Sequence, residues 1–299
     1  MGAHPSRGKE SGEASGGLVL ALRHGAAAQL ARMAASLERR GTQRHSGIHE
    51  ARKAARRCRA VLALCTKHGD EATARLDRAV RAACKDLSRL RNAHAVVEIA
   101  ATRSARLVPR ATAKPLRSWL RQRRDRLLAA ALDGDPDFQR RRRRIQRAAA
   151  LCATLDWSGV DGGSVRHALR RSSERLRKAA RDAQRRPTLA LRHRWRRRLR
   201  RLRMQVQMLD AVAQDRAWPR QVRIAARRAL AWVHRHAPSP AELTAASDAL
   251  GRDLDRSLLC AALRREAPPQ LWRILPPLLC GRGARALRRE FEPTPVSPA

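Results

Sequence analysis

Helical spacing of apolar residues runs through almost the whole chain and restricts its fold more than any other feature. From Leu18 onward, Ala and Leu recur every three or four residues within long stretches that also carry Arg and Glu. The β-branched alternation typical of strands is nearly absent. Breakers are few and well separated, for example at 68–70, Pro109 and 157–164. Cutting the chain at such points gives about a dozen helices joined by short loops, which predicts an all-α, bundle-type protein.

The Gly- and Ser-rich stretch WSGVDGGS is the best candidate for a boundary between two halves. The first residues are Gly, Ser and charged residues with nothing to bury, which is typical of a disordered segment. We therefore predict this organisation: a disordered tail at 1–17, a first helical bundle at 18–156, a linker at 157–163, a second helical bundle at 164–290 and a C-terminal tail at 291–299.

The stretch IHEARKAARRCRA at 48–60 predicts a helix with one basic and one apolar face. At about 100° per residue, four basic side chains fall within an arc of about 80° and along about 15 Å of helix axis. These are His49, Arg52, Arg56 and Arg59. The opposite side carries Ala51, Ala54, Cys58, Val61 and Leu62. This arrangement is that of an amphipathic helix packed on a core.

The same pattern returns 144 residues later, in LRHRWRRRLRRLRM at 191–204. We call the two sets the first and the second basic face. The first comprises His49, Arg52, Lys53, Arg56, Arg57 and Arg59, and the second comprises His193, Arg196, Arg197, Arg200, Arg201 and Arg203. An internal duplication is the simplest explanation of the repeat. It predicts two similar four-helix-type bundles related by a pseudo-two-fold axis.

The charge of the chain indicates a polyanionic partner. Lys and Arg number 66 against 26 acidic residues, a net charge of +40, and only six of the cations are Lys. The planar guanidinium of Arg grips phosphate oxygens in a bidentate manner. The two basic faces also carry almost no acidic residues at i+4, so their cations repel each other unless an anion binds. A phosphate polymer or another dense polyanion is the class of partner that this pattern favours.

The histidine in each basic face adds a prediction about protons. Neighbouring arginines disfavour the charged form of an imidazole, and a bound polyanion reverses this effect. We therefore expect binding to take up protons and to tighten between about pH 7.5 and 6.

At these residues the sequence resembles the CHAD domain, the conserved histidine α-helical domain. IHEARKAARRCRAVLAL resembles the signature helix of the family, and LRHRWRRRLRRLRMQVQML resembles the same signature in its second half. The family's Leu-Gly segments are matched in part. LSRLRNAHAVV keeps Arg91 but has Asn92 and His94 where acids are usual, and DALGRDLDRSLL keeps Leu250, Gly251 and Asp255. The resemblance covers roughly residues 18–290.

The resemblance implies a pair of helical bundles flanking a basic central groove or pore. It further implies binding of inorganic polyphosphate and targeting to polyphosphate granules in bacteria, with the two basic faces as the two walls. No alternating Glu-x-Glu-x-Lys strand of the CYTH domain is present, so no triphosphatase activity is implied. A non-catalytic polyphosphate-binding protein is the function expected, with recruitment of granule-associated proteins as a further role that the sequence leaves open.

Sequence-nonspecific binding of DNA or RNA is the main alternative, since the charge suits nucleic-acid phosphates equally well. Against it, a chain with six Trp and no Tyr offers a poor platform for stacking bases. A metal site is disfavoured because His45 and His49, or His234 and His236, have no cysteine at suitable spacing. We also expect no enzyme activity and no cofactor, because paired carboxylates are scarce and Asp253 with Asp255 fits a helix start.

The sequence also predicts where the protein resides. Its N-terminus has no apolar run typical of a signal peptide, and no window approaches the roughly 18 apolar residues of a membrane span. Its six cysteines are scattered singly, as expected for reduced thiols. We expect a cytoplasmic protein without a membrane partner, located at polyphosphate granules.

Overall fold

The structure is a computed structural model that describes residues 7–65, 70–107, 110–158, 160–269 and 271. Within these ranges the chain forms ten α-helices and no β-strand, which confirms the all-α prediction. The helices are α1 (Arg7–Glu38), α2 (Arg44–Cys65), α3 (Glu71–Ala83), α4 (Leu87–Leu107), α5 (Arg110–Gly134), α6 (Gln139–Thr154), α7 (Gly162–Arg185), α8 (Leu189–Gln214), α9 (Arg220–His236) and α10 (Pro240–Glu266).

Side-chain caps fix the start of several helices that carry or flank the basic faces. The Asp70 carboxylate accepts a hydrogen bond from the Thr73 backbone N–H at 2.9 Å at the start of α3. The Thr188 hydroxyl accepts one from the Leu191 backbone N–H at 3.3 Å and begins α8. Such caps satisfy backbone donors that have no partner within the helix. The second basic face therefore has a defined starting point in the chain.

Two hydrophobic cores hold the helices together. The main core contains side chains from α1, α2, α3, α6, α7, α8 and α9, and its completely buried members include Met33, Leu62 and Leu209. A smaller core lies between α4, α5 and α10 and includes Val96, Leu116, Leu120, Leu259 and Leu263. The cores thus combine helices from both halves of the sequence, because α1 packs on α9 and α4 packs on α10.

The predicted linker at 157–163 is packed into the protein. Trp157 and Val160 are 7% exposed and belong to the main core, and α7 already begins at Gly162. A large indole removed from water contributes hydrophobic stabilisation that a solvated linker would lose. The segment between α6 and α7 is therefore part of the core, in contrast to our expectation of a spacer between two bundles.

Helix α1 begins at Arg7, within the segment at 1–17 that we predicted as a disordered tail. Gly17 lies against Val222 of α9, so closely that a Cβ at this position would overlap the valine side chain. This contact packs α1 against α9 at Gly17, which sequence composition alone did not indicate. Residues 1–6 and the predicted tail at 291–299 lie outside the described residues.

Close packing of α1 on α2 orients the first basic face. Gly47 is buried, and a Cβ there would overlap the backbone oxygen of Ser36. Next to it, Ile48, Ala51 and Ala54 are almost fully buried. With this side of α2 held against α1, its basic side chains lie on the side that meets α3, α4 and α8.

Candidate functional site

Helices α2 and α8, which carry the two basic faces, pack directly against each other. A buried hydrogen bond joins them, since the Gln205 side chain donates from Nε2 to the Ala60 carbonyl oxygen at 3.3 Å. Burial, followed by the neighbouring guanidiniums of Arg52 and Arg196, lowers the pKa of Arg56 to about 10. The two basic faces therefore contribute side chains to one region.

A second arginine on α8 has the same surroundings. The pKa of Arg200 falls to about 9 because of burial and because Arg196, Arg56 and Arg203 lie nearby. We call these five residues the arginine cluster: Arg52, Arg56, Arg196, Arg200 and Arg203. Like charges at short range raise the free energy of the folded protein.

Most members of the arginine cluster have buried donors without a hydrogen-bond partner. These donors are Nη1 of Arg52 and Nε of Arg56, Arg196 and Arg203. In the described part of the chain, no acidic residue forms an ion pair with any of the five. A buried unsatisfied donor costs about 1–3 kcal/mol and more when it is charged. The cluster is therefore arranged to receive an anion with several acceptor oxygens.

The Leu-Gly segment on α10 contributes the backbone against which Arg196 lies. A Cβ at Gly251 would come within 2.8 Å of Nη2 of Arg196, so a larger residue there would make the guanidinium shift. On the same helix, Asp255 and Asp248 lie near enough to oppose the lowering of the Arg196 pKa that burial causes. The sequence marked this segment only as a weak family match, whereas the structure places it beside the second basic face.

His49 is held by a residue of α4. The Arg91 side chain donates from Nε to His49 Nδ1 at 2.7 Å, and its Nη1 donates to Glu98 Oε2 at 2.7 Å. Because Nδ1 accepts this bond, the neutral imidazole carries its proton on Nε2. Burial, followed by the charge of Arg91, lowers the pKa of His49. His49 is thus a neutral donor near the arginine cluster.

Arg59 and Arg201 lie in a separate group next to α3 and α7. Arg59 forms an ion pair with Asp77 at 2.6 Å, so the first basic face is not as free of acidic partners as its sequence suggested. Burial is the main cause that lowers the pKa of Arg201 to about 10, followed by the charges of Arg59 and Arg198. The structure therefore places these two of the twelve predicted residues in a second group of cations, apart from the arginine cluster.

The remaining predicted residues lie toward solvent. His193 and Arg197 are exposed, Arg57 is half-buried, and Lys53 reaches Glu50 at 3.5 Å. Burial, then Arg196 and Arg197, lowers the pKa of His193.

A stacked histidine pair lies close to this region and was not predicted as part of it. The rings of His45 and His94 are parallel, with centroids 4.7 Å apart and planes inclined by 6°. His94 Nε2 lies 3.3 Å from Glu98 Oε1, and the Nδ1 atoms of both histidines are buried without a partner. Of the two residues that depart from the family pattern, His94 packs in this pair while Asn92 is exposed.

From the buried histidine pair we predict that the folded protein loses stability in mild acid. Burial, followed by the charge of His94, lowers the pKa of His45 to about 4 from 6.5. The unfolded chain therefore binds the proton first, and stability falls as pH drops from 6.5 toward 4 by up to about 3 kcal/mol. Urea unfolding at several pH values should show this slope in the wild type and a weaker slope in His45→Phe. An equal slope in both proteins would contradict this origin, and exposed His236→Phe is the control.

Across the described ranges, no group of three or more His, Cys, Asp or Glu side chains is close enough to hold a metal ion. In that part of the chain no helix combines the length and the apolar character needed to cross a membrane.

Comparisons with known proteins agree with the geometry. The model of the CHAD domain family matches residues 24–223, which include both basic faces. A search of curated proteins gives no match. The crystal structure of the CHAD domain from the plant Ricinus communis is similar with a TM-score of 0.54 at 17% identity, and the alignment covers 98% of this chain and 94% of that one. At this identity the likeness shows the fold alone. The family match extends over most of the chain, and this protein therefore belongs to the CHAD domain family.

Proposed function

We propose that this protein binds inorganic polyphosphate without acting on it chemically, and that the arginine cluster is the centre of the binding site. The observation that carries the proposal is the set of buried guanidinium donors from α2 and α8 that have no hydrogen-bond partner. Phosphate oxygens are acceptors of the right charge and geometry for these donors. A linear polymer of phosphates supplies them in succession along the two helices.

The energetics favour a polyanion over a single small anion. A hydrogen bond between a charged donor and acceptor contributes about 1.5–3 kcal/mol. Five arginines from two helices can each contribute such bonds, while one orthophosphate can reach only a few of them. Binding several phosphates of one chain also means that the ordering cost is met once for all contacts.

Nucleic acid remains the alternative ligand of this proposal, and the tryptophans argue against it. Trp157 is buried, and Trp119, Trp195, Trp218 and Trp232 are half-buried against the cores. Bases of single strands bind to exposed aromatic faces. The arginine cluster also lacks Asn and Gln side chains of the kind that read base edges in a duplex.

A competition experiment tests the proposed function. Labelled long-chain polyphosphate bound to the protein is displaced by unlabelled polyphosphate, duplex DNA or RNA at equal phosphate concentration, at about 150 mM and 300 mM salt. We expect polyphosphate to be the strongest competitor at both salt concentrations. If DNA or RNA competes more strongly at both, the protein is a nucleic-acid binder.

The proposed cellular location follows from the ligand. We expect a fluorescently tagged chain to collect at polyphosphate granules in the cytoplasm and to become diffuse in cells that cannot synthesise polyphosphate. An unchanged distribution in such cells would mean that another partner recruits the protein.

Binding should take up protons, mainly through His193. The pKa values of both face histidines are lowered in the unbound protein, so both imidazoles are neutral at pH 7. A bound polyanion raises these values, so affinity increases as pH falls from about 7.5 to 6. His49 accepts a bond from Arg91 at Nδ1, which opposes protonation there. Calorimetry in two buffers of different ionisation enthalpy should show uptake that His193→Gln removes and His49→Gln retains. No uptake by the wild type would contradict this prediction.

A further inference from the structure

Asp77 on α3 occupies the second group of arginines like a bound anion. Its Oδ1 lies 2.6 Å from Nε of Arg59, and its Oδ2 lies 2.7 Å from Nη2 of Arg81. The Asp77 and Arg59 side chains are only 22% and 26% exposed. Arg201 of α8 lies near the same carboxylate. The group thus joins α2, α3 and α8 around one negative charge.

The corresponding position of the second basic face lacks such a carboxylate. Arg203, which stands 144 residues after Arg59, has a buried Nε without a partner and, within the described residues, no ion pair. The residue 144 positions after Asp77 is Gln221, which is neutral and exposed. The two basic faces therefore differ in charge at one end, although their arginines are equally spaced.

From Arg59 and Arg201 the line of cations continues onto α7. Arg198 lies near Arg175 as well as near Arg201, so successive guanidiniums from α2, α8 and α7 follow one another. A phosphate chain that contacts these cations as well as the arginine cluster must place a phosphate beside Arg59, where the Asp77 carboxylate lies. Arg81 and Asp77 form an i,i+4 ion pair on α3. Asp77 can therefore stay paired with Arg81 when a phosphate binds Arg59.

We propose that Asp77 is a built-in counter-ion which restrains Arg59 and Arg201, so that only a long polyphosphate chain gains contacts with them, by displacing the carboxylate. This inference rests on the proposed function and adds a residue that determines preference for chain length. A short anion is accommodated by the arginine cluster and does not meet Asp77. A long chain exchanges a carboxylate for a phosphate, which has more charge and more acceptor oxygens.

The test compares wild type and Asp77→Asn with two ligands, tripolyphosphate and long-chain polyphosphate, by titration at several salt concentrations. The variant should bind the long chain about fivefold more tightly, as expected for removal of a partly exposed ion pair. The slope of log affinity against log salt concentration should become steeper for this variant, as expected when about one more counter-ion is released on binding. Affinity for tripolyphosphate should stay within about twofold, because that ligand does not reach Arg59.

Two further variants separate this effect from a general change in charge. Glu71→Gln alters the net charge equally and removes another ion pair of α3, with Arg78, so it should leave long-chain affinity unchanged. Adding Arg201→Gln to Asp77→Asn should abolish the gain. Asp77→Ser replaces the Asn variant if circular dichroism shows that the latter is misfolded.

The outcomes distinguish the inference from the proposed function. If the wild type binds long-chain polyphosphate and Asp77→Asn binds it equally well, or if Glu71→Gln gains as much, the role of Asp77 is wrong while the function stands. If the wild type does not bind polyphosphate, the proposed function is wrong and the inference is wrong with it.

Discussion

Replacing Arg56 and Arg200 together by Ala is expected to weaken polyphosphate binding at least about a hundredfold and to leave the helix content unchanged. These two arginines come from different helices, and the charge of Arg56 is among the causes that lower the pKa of Arg200, so the two guanidiniums lie near each other in the arginine cluster. Two charge-assisted hydrogen bonds contribute about 3–6 kcal/mol together, which corresponds to a factor of about 10² to 10⁴ in affinity. The slope of log affinity against log salt should also become shallower, since fewer counter-ions are displaced.

The stability of the unbound protein should increase when Arg56 and Arg200 are replaced by apolar residues, whereas its affinity for polyphosphate falls. Both guanidiniums are largely buried among other cations and have no acidic ion-pair partner in the described residues. Replacing buried charges by apolar side chains of similar length often stabilises a protein by about 1–4 kcal/mol. Arg56→Met with Arg200→Met keeps the aliphatic stems and should therefore raise the melting temperature in the absence of polyphosphate. A fall in melting temperature would mean that these arginines stabilise the fold.

The matched control for this experiment uses arginines outside the cluster. Arg143 and Arg147 are exposed on α6, and replacing both by Ala changes the net charge by the same amount. Fluorescence titration at about 150 mM salt should show little change for this control. Equal losses of affinity in the two double variants would mean that binding depends on net charge alone. Loss of helicity in the Arg56/Arg200 variant would mean that the pair is structural.

The sequence predicted the helices and the two basic faces because both are local patterns. Apolar spacing of three and four residues defines which side of α2 and α8 is buried, and the position of each arginine on the opposite side follows from the helix geometry. His49 and Arg52, for example, are spaced as expected for neighbours on one face. The 144-residue repeat then suggested that the two faces belong together. The proximity of Arg56 on α2 to Arg196 on α8 is consistent with this suggestion.

Contacts between distant helices could not be predicted in this way. Asp77, Arg91 and Gly251 belong to α3, α4 and α10, and each meets a basic face through packing that no local pattern encodes. Gly251 carried a weak signal, since a glycine inside a helix costs about 1 kcal/mol relative to Ala and is commonly present for a packing reason. Asp77 carried no such signal in the sequence, because acidic residues are common on the solvent-exposed faces of helices.

The organisation into two halves was the least predictable feature. A duplication in sequence suggests two separate bundles, whereas the cores form wherever apolar faces meet in three dimensions. α1 packs on α9, and Trp157 with Val160 fills the main core between the halves. The segment 157–163 is rich in Gly and Ser, which is typical of a flexible linker. The free energy gained by burying Trp157 and Val160 nevertheless holds it in the core.

Long-chain polyphosphate is expected to raise the melting temperature by about 4 °C when its concentration is about one hundred times the dissociation constant. Binding at this concentration stabilises the folded state by about 2.7 kcal/mol, and each kcal/mol shifts the midpoint by about 1.6 °C in a chain of 299 residues, whose entropy of unfolding is about 0.63 kcal/mol/K. The physical reason is that phosphates satisfy the buried donors of Arg52, Arg56, Arg196 and Arg203 and neutralise their mutual repulsion. Differential scanning calorimetry over a range of ligand concentrations measures the shift.

Two comparisons decide whether that shift reflects the built site or only screening of a net charge of +40. Orthophosphate at equal ionic strength screens repulsion over the whole surface but reaches only a few of the clustered arginines, so it should raise the melting temperature by far less. Arg196→Lys with Arg200→Lys keeps every charge but replaces two planar forks by point charges. The variant should therefore retain the response to orthophosphate and lose a large part of the response to polyphosphate. Equal shifts with both anions, or an unchanged polyphosphate shift in the variant, would contradict recognition by the arginine cluster.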